Sequence, residues 1–203
     1  MHIRDRGWSD VGSDHTDRAV IRDRSTVVER ARKAGIRQML LTTTSLDRAD
    51  QVIEYCSEFP QRLFATAGVH PHGAKQWQAD SNQQLKRLSA DPAVKAIGEC
   101  GLDFNRDFSP RNAQIKALED QLSIAAESRL PVFLHERDAS ETFVAVLRDF
   151  RDQLSGAVVH CFTVLLYTSA AANESPRCNC CGRRIKQKKK KRKHERRQNT
   201  KLK

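Results

Sequence analysis

Five side chains of this sequence carry the groups best suited to acid, base or metal chemistry: His70, His72, Glu99, His135 and His160. They are far apart along the chain, yet each follows a short apolar run. Leu63–Val69 ends at His70-Pro71-His72, Ala93–Gly98 at Glu99, Pro131–Leu134 at His135 and Ala157–Val159 at His160. Such Val/Ile/Leu-rich runs are what a parallel sheet buries on both faces. If the strands line a β/α barrel, their C-terminal ends open onto one mouth, and the five side chains converge there. One histidine at a strand end is ordinarily a hydrogen-bonded structural residue. Four strand ends of this kind in register point instead to a metal or phosphate site. Two imidazoles with a carboxylate suit Zn²⁺, Mn²⁺ or Fe²⁺, whereas Mg²⁺ prefers oxygen donors and keeps several waters. Either kind of ion lowers the pKa of bound water and shields the charge of a phosphodiester under attack.

Other chemistries lack their motifs. The chain has no Gly-rich phosphate loop and no G-x-S-x-G elbow, so nucleoside triphosphate hydrolysis and serine catalysis have no warrant. Cys161 beside His160, and Cys100 beside Glu99, fail as nucleophile pairs because strand neighbours point to opposite faces.

The elements that must position these groups alternate between strand-like and helix-like. Val27, Val28, Ala31 and Ala34 mark a helix closed by Lys33 and Gly35, followed by the strand Ile36–Leu41. Ser45 is the expected cap of a second helix, Asn82–Ala90 forms a third, and Ser109–Pro110 starts a fourth with Ile115, Leu118, Leu122 and Ala125 on its apolar side. Asp138 and Glu141 are spaced as a capping box before the stripe Phe143, Val144, Leu147 and Phe150. Val11 and its neighbours supply a first strand, giving six strands and five helices. This alternation fits a TIM-type barrel or a doubly wound open sheet.

Charge divides the chain sharply. Of 36 Lys+Arg and 25 Asp+Glu, the segment 177–203 holds 14 basic and one acidic residue. Residues 1–176 are left with 22 basic against 24 acidic, so the net charge of +11 belongs to the C-terminal segment. No apolar run is long enough to span a bilayer, and the first ten residues lack a secretory h-region. The six cysteines show no small-scaffold spacing, so a reducing cytoplasm is the expected setting.

Four segments carry a resemblance. Ala67-Gly68-Val69-His70-Pro71-His72, Ala96-Ile97-Gly98-Glu99-Cys100-Gly101-Leu102-Asp103, the run 131–139 from Pro131 to Ala139, and Val158-Val159-His160-Cys161-Phe162-Thr163 resemble the TatD family of metal-dependent deoxyribonucleases. The resemblance runs from about Asp10 to Thr163. It implies a TIM barrel of the metal-dependent hydrolase superfamily and trimming of single-stranded DNA or RNA from the 3′ end. By position, Glu99, His135 and His160 match metal ligands, and His70 and His72 match the pair at the substrate phosphate. The implied cofactor is a divalent ion, Mg²⁺ first and Mn²⁺ or Zn²⁺ as alternatives. The implied partner is the nucleic-acid substrate, with no membrane, and the chain is expected to be a monomer.

The sequence also departs from the family. Gly12-Ser13-Asp14 stands where many relatives have His-x-His, and Asp14 reads as a turn or cap residue. After Thr163, where a Gly is expected, Val164 stands, and the last two barrel units with the family's metal-site Asp do not follow. The expected division is therefore an incomplete barrel of about six β/α units over 1–163 and a disordered Lys/Arg-rich tail over 164–203. Cys178-x-Cys180-Cys181 with His194 has the wrong spacing for a zinc finger. An open barrel is expected to expose Val132 and Val158, to be unstable, to bind metal weakly and to have little nuclease activity. Two alternatives stand beside the nuclease: a hydrolase of a small amide or lactone on the same barrel, and a nucleic-acid binder acting through the basic tail.

Overall fold

Apolar runs that alternate with amphipathic stretches fold into successive β/α units. The computed structural model describes residues 8–13 and 24–160. Expectations resting on Asp14, Cys161, Thr163, the segment 164–203 and its Cys178, Cys180, Cys181 and His194 lie outside the described residues.

The strands are β1 (Trp8–Ser13), β2 (Ile36–Leu41), β3 (Leu63–Ala67), β4 (Val94–Asp103), β5 (Val132–Arg137) and β6 (Ala157–His160). Between them lie α1 (Arg24–Lys33), α2 (Leu46–Ser57), a 3-10 turn (Pro71–Gln76), α3 (Ser81–Ser89), α4 (Arg111–Ser128) and α5 (Ser140–Phe150). Every strand pairs in parallel with the next, in the order β1-β2-β3-β4-β5-β6. Strand order that rises without reversal is the arrangement of a β/α barrel; a doubly wound sheet reverses at a switch point. The fold is a curled run of barrel units, as expected from the resemblance.

The core lies between the sheet and the helices and includes Leu41, Leu63, Ile97, Leu118, Leu122, Leu134 and Phe143. Val132 is 1 % exposed, contrary to the expected exposure, because β5 is flanked by β4 and β6. Val158 is half-buried.

Several local expectations change. Ser45 stands at the start of α2 with extended backbone but makes no side-chain capping bond. Pro110, not Ser109, is the cap residue of α4; the Ser109 hydroxyl instead donates to the carbonyl of His72 and accepts from the N–H of Lys75. The capping box at Asp138 does not form: Asp138 accepts from Asn105, and Glu136 takes the N–H of Ala139. Ser109 and Asp138 are each diverted to a tertiary partner that the local spacing does not reveal.

The largest difference is in β4, which continues to Asp103 rather than ending at Gly98. Gly98 and Gly101 adopt φ of 125° and 149°, values that side-chain-bearing residues rarely take. Register against β5 slips between Gly98 and Cys100, leaving Glu99 as the extra residue. A bulge of this kind re-aims one side chain without ending the strand. The N–H of Glu99 turns to the carbonyl of Thr43 at the end of β2, 3.2 Å away. Likewise β5 runs on to Arg137, so His135 lies inside a strand rather than at its end.

Candidate metal and phosphate site

The bulge places the Glu99 carboxylate at the centre of a group of imidazoles. His135 on β5 approaches Glu99 Oε1 through Nδ1 at 2.9 Å, and His160, the last residue of β6, through Nε2 at 2.5 Å. His70, just beyond β3, brings Nε2 to 3.6 Å from the same oxygen and 3.3 Å from His135 Nδ1. Pairing of His135 with His160 across β5 and β6 sets these two rings side by side. The His160 ring also stacks on Phe133, at 5.3 Å between centroids.

Burial gives these contacts their strength. Glu99 is 8 % exposed, which alone would raise its carboxyl pKa. Hydrogen bonds from His135 and His160, with His70 close by, outweigh burial and hold it well below the usual carboxylate range. Burial pushes the His70 ring down to about 4; Glu99 opposes that fall, and His135 and His72 add to it. The ring is therefore neutral near pH 7. Its Nδ1 accepts the backbone N–H of His72 at 3.2 Å, so the single proton sits on Nε2, facing Glu99 and His135.

His72 has a different partner. Its Nε2 lies 2.7 Å from Oδ2 of Asp103, a residue with no exposed surface. Asp103 Oδ1 accepts the N–H groups of Asn105 and Arg106. These bonds, with His72, hold the Asp103 carboxyl below its ordinary pKa although burial pushes the other way. Asp103 Oδ2 also lies 3.7 Å from His135 Nε2, beyond hydrogen-bond distance.

That His135 Nε2 is buried without a hydrogen-bond partner. That atom lies on the Asp103 side of the ring; what a divalent cation would satisfy on the other side is the carboxylate ringed by imidazole nitrogens. One oxygen with three imidazole nitrogens around it is also more basic groups than a carboxylate needs. His70, Glu99 and His135 offer ligand atoms within 4.8 Å of one another. The donor set thus fits a metal ion.

All five residues named from sequence meet here, in two linked clusters. Missed were Asp103, which anchors His72, and two glutamines of α4. Gln114 and Gln121 are each 1 % exposed and bond to the backbone of Asp103 and Val69 respectively. Their spacing of seven, within a run of apolar helical positions, was the available signal.

The TatD-related DNase family matches residues 10–181 of the chain. The chain belongs to the TatD family. The family match runs past Thr163, where the TatD-like motifs named from sequence stop. Among TatD relatives, the 3′-5′ ssDNA/RNA exonuclease TatD of Erwinia amylovora is 46 % identical over 154 residues, covering 76 % of this chain and 60 % of the relative. Those of Citrobacter rodentium and Enterobacter lignolyticus are 47 % and 48 % identical over the same length, covering 58 % and 59 % of each relative. The chain thus spans about three fifths of the length of these curated relatives. The crystal structure of YJJV, a TatD homologue from Escherichia coli K12, superposes with a TM-score of 0.74 at 26 % identity, over 82 % of this chain and 64 % of that one. A TatD-family hydrolase from Entamoeba histolytica has the same fold, with a TM-score of 0.74 at 23 % identity over 83 % and 62 % of the two chains.

Proposed function

We propose that this chain carries the metal and phosphate site of a TatD-type phosphodiester hydrolase that trims single-stranded DNA or RNA from the 3′ end. The observation that carries the reading is the buried Glu99 carboxylate between His135 and His160, with the N–H of His70 aimed at it. Glu99, His135 and His160, with His70 close to the same carboxylate, would hold a divalent ion, Mg²⁺ first and Mn²⁺ or Zn²⁺ as alternatives. When bound, the ion neutralises phosphate charge and makes water acidic enough to attack near neutral pH.

The chain's own residues supply orientation. His70, with Nε2 3.6 Å from the Glu99 carboxylate, orients the scissile phosphate beside the ion's ligands. His72, steadied by Asp103 through Nε2, stands edge-on to His70 at the side of the site assigned to the same phosphate. Water adds to phosphorus, the bond to the leaving sugar oxygen breaks, and that oxygen takes up a proton. The names of the curated relatives support nucleic acid as substrate. The division into a barrel over 1–163 and a separate basic segment over 164–203 belongs to this proposal, as do a monomeric state and a cytoplasmic setting. Among the described residues no helix is long and apolar enough to cross a membrane.

The test incubates the purified chain with 3′-labelled single-stranded DNA and Mg²⁺ or Mn²⁺. Metal-dependent release of labelled nucleotide, slow but lost in Glu99→Gln, is the expected result. Turnover of a lactone or amide without nucleotide release would overturn it in favour of a small-molecule hydrolase. Metal-independent DNA binding with no release, lost when 164–203 is deleted, would overturn it in favour of a nucleic-acid binder.

A further inference from the structure

Among the described residues, one large apolar side chain is exposed: Phe108, at 56 %. It stands on the loop between β4 and α4, at the edge of the site. Its ring meets His72 edge-on, with centroids 4.7 Å apart and planes at 65°. His72 in turn is tied to Asp103, so Phe108 borders the imidazole assigned above to the substrate phosphate.

The loop does not leave this ring outside by slackness. On one side, Asp107 has φ 53° and its N–H reaches the carbonyl of Asp103 at 3.3 Å. On the other, Ser109 is fully buried; its hydroxyl joins the His72 carbonyl to the Lys75 N–H, and its carbonyl accepts from Gln114 at 2.8 Å. The backbone on both sides of Phe108 is therefore fixed, and the fixed position holds an apolar ring in water beside a polar site. Hydrophobic burial alone would favour the opposite. Lys75, in the 3-10 turn whose N–H Ser109 holds, and Arg106, two residues before Phe108, are both exposed.

An exposed aromatic face held beside a phosphate-binding group, with basic residues on the adjoining segments, is how proteins grip single-stranded nucleic acid without reading sequence. We propose that Phe108 is a base-stacking platform: the nucleobase next to the phosphate held at His70 and His72 lies on its ring. The inference rests on the reading above, that the site acts on single-stranded nucleic acid, and names the contact that grips it. Every base has a stacking face, so the platform favours base-bearing over abasic ends and discriminates little among the four bases.

The experiment uses the full chain in EDTA, so that binding is read without cleavage. The probe is a single-stranded oligonucleotide with a fluorescent adenine analogue at its 3′ end, beside the same oligonucleotide with an abasic 3′ residue. The wild type should quench the analogue and bind the base-bearing probe about tenfold to a hundredfold more tightly than the abasic one. Phe108→Ala should lose both the quenching and that preference, Phe108→Leu should lose the quenching, and Phe108→Trp should keep both. Equal binding of the two probes by the wild type, or unchanged quenching in Phe108→Leu, overturns the platform while leaving the nuclease reading in place. Binding of neither probe, with no metal-dependent nucleotide release, overturns the nuclease reading and the platform with it.

Discussion

Gln121 of α4 completes the backbone hydrogen bonding of Val69 as a neighbouring strand would. Its Oε1 accepts the Val69 N–H at 2.7 Å, and its Nε2 donates to the Val69 carbonyl at 3.2 Å. One turn pair earlier, Gln114 does the same for Asp103, accepting the N–H at 2.8 Å and donating to the carbonyl at 3.3 Å. Val69 precedes His70, and Asp103 anchors His72. A single helix thus fixes the backbone behind both clusters of the site.

Replacing Gln121 by Leu keeps the volume but leaves two buried backbone groups unpaired. Each unsatisfied group costs about 1–3 kcal/mol, so a loss of roughly 2–6 kcal/mol is expected. Urea unfolding measures it. Gln121→Glu keeps the acceptor and should cost less than Leu; an equal cost would show that the amide pairing contributes nothing.

Metal binding should stabilise the fold in proportion to saturation. At a hundred times its dissociation constant, an ion that binds only the native chain adds about 2.7 kcal/mol, or roughly 5–10 °C in Tm for a chain this long. Mn²⁺ is expected to raise Tm, EDTA to reverse the rise, and His135→Ala to abolish it. A rise that persists in His135→Ala would place the ion elsewhere, since His135 belongs to the group of ligand atoms within 4.8 Å that could hold it.

Much of this fold was legible because its signals are local. Ile36–Leu41 is the strand its apolar run predicts, and α1 ends at Lys33 ahead of Gly35, which has φ 89°. The convergence of the five candidate residues was legible for a related reason: an apolar run followed by His or Glu marks a strand, although Glu99 and His135 lie within theirs rather than at the end. Asp103 was hidden because the apolar run stops at Gly98, whereas β4 continues around a bulge to Asp103. Ser109 and Asp138 were misassigned as helix caps because a cap is inferred from sequence spacing, and both spend their side chains on residues more than thirty positions away. The Gln114 and Gln121 clamps needed the fold itself, because their partners are backbone atoms that carry no sequence signal.

Acid should weaken the outer helices in a defined window. Arg87 of α3 holds Asp50 of α2 through two hydrogen bonds, at 3.0 and 2.8 Å. The guanidinium bond lowers the Asp50 carboxyl pKa below its ordinary value. A carboxyl depressed in the folded state stabilises above the unfolded pKa of about 3.9, and that contribution fades as pH falls towards the lower folded value. Wild type and Asp50→Asn should therefore differ in urea midpoint at pH 6 and converge near pH 3. Because both side chains are exposed, the difference should be small and should shrink in high salt.

Cys56 should be inert while the chain is folded. Burial, aided by the Asp91 carboxylate, pushes its thiol up to about 12, so almost no thiolate exists at pH 8. Iodoacetamide at pH 8 is expected to leave Cys56 unlabelled in native protein and to label it fully in urea, as read by peptide mass mapping. Rapid native labelling would mean that the packing of α2 against the sheet opens far more often than its burial implies.

Gly101 tests whether the backbone of β4 positions the site. Its φ of 149° is costly for any residue with a side chain, at about 1–3 kcal/mol. A Cβ there would also overlap the carbonyl oxygen of His135 and lie 2.8 and 2.9 Å from that residue's carbonyl carbon and nitrogen. These are main-chain atoms, so no rotamer change relieves the clash; β4 and β5 must separate. The two strands carry Glu99 and His135, and separating them breaks the 2.9 Å contact at the centre of the site. Gly101→Ala is therefore expected to lower stability by several kcal/mol, within the range of core overpacking and backbone strain, and to weaken Mn²⁺ binding at least about tenfold. Gly73, in the 3-10 turn, is the matched control: its added Cβ would find Val69 Cγ1 at 3.5 Å, an ordinary contact. Gly73→Ala should bind Mn²⁺ as the wild type does. If Gly101→Ala also binds Mn²⁺ unchanged, the close approach of β4 to His135 serves packing alone, and the separation of Glu99 from His135 is set by other contacts.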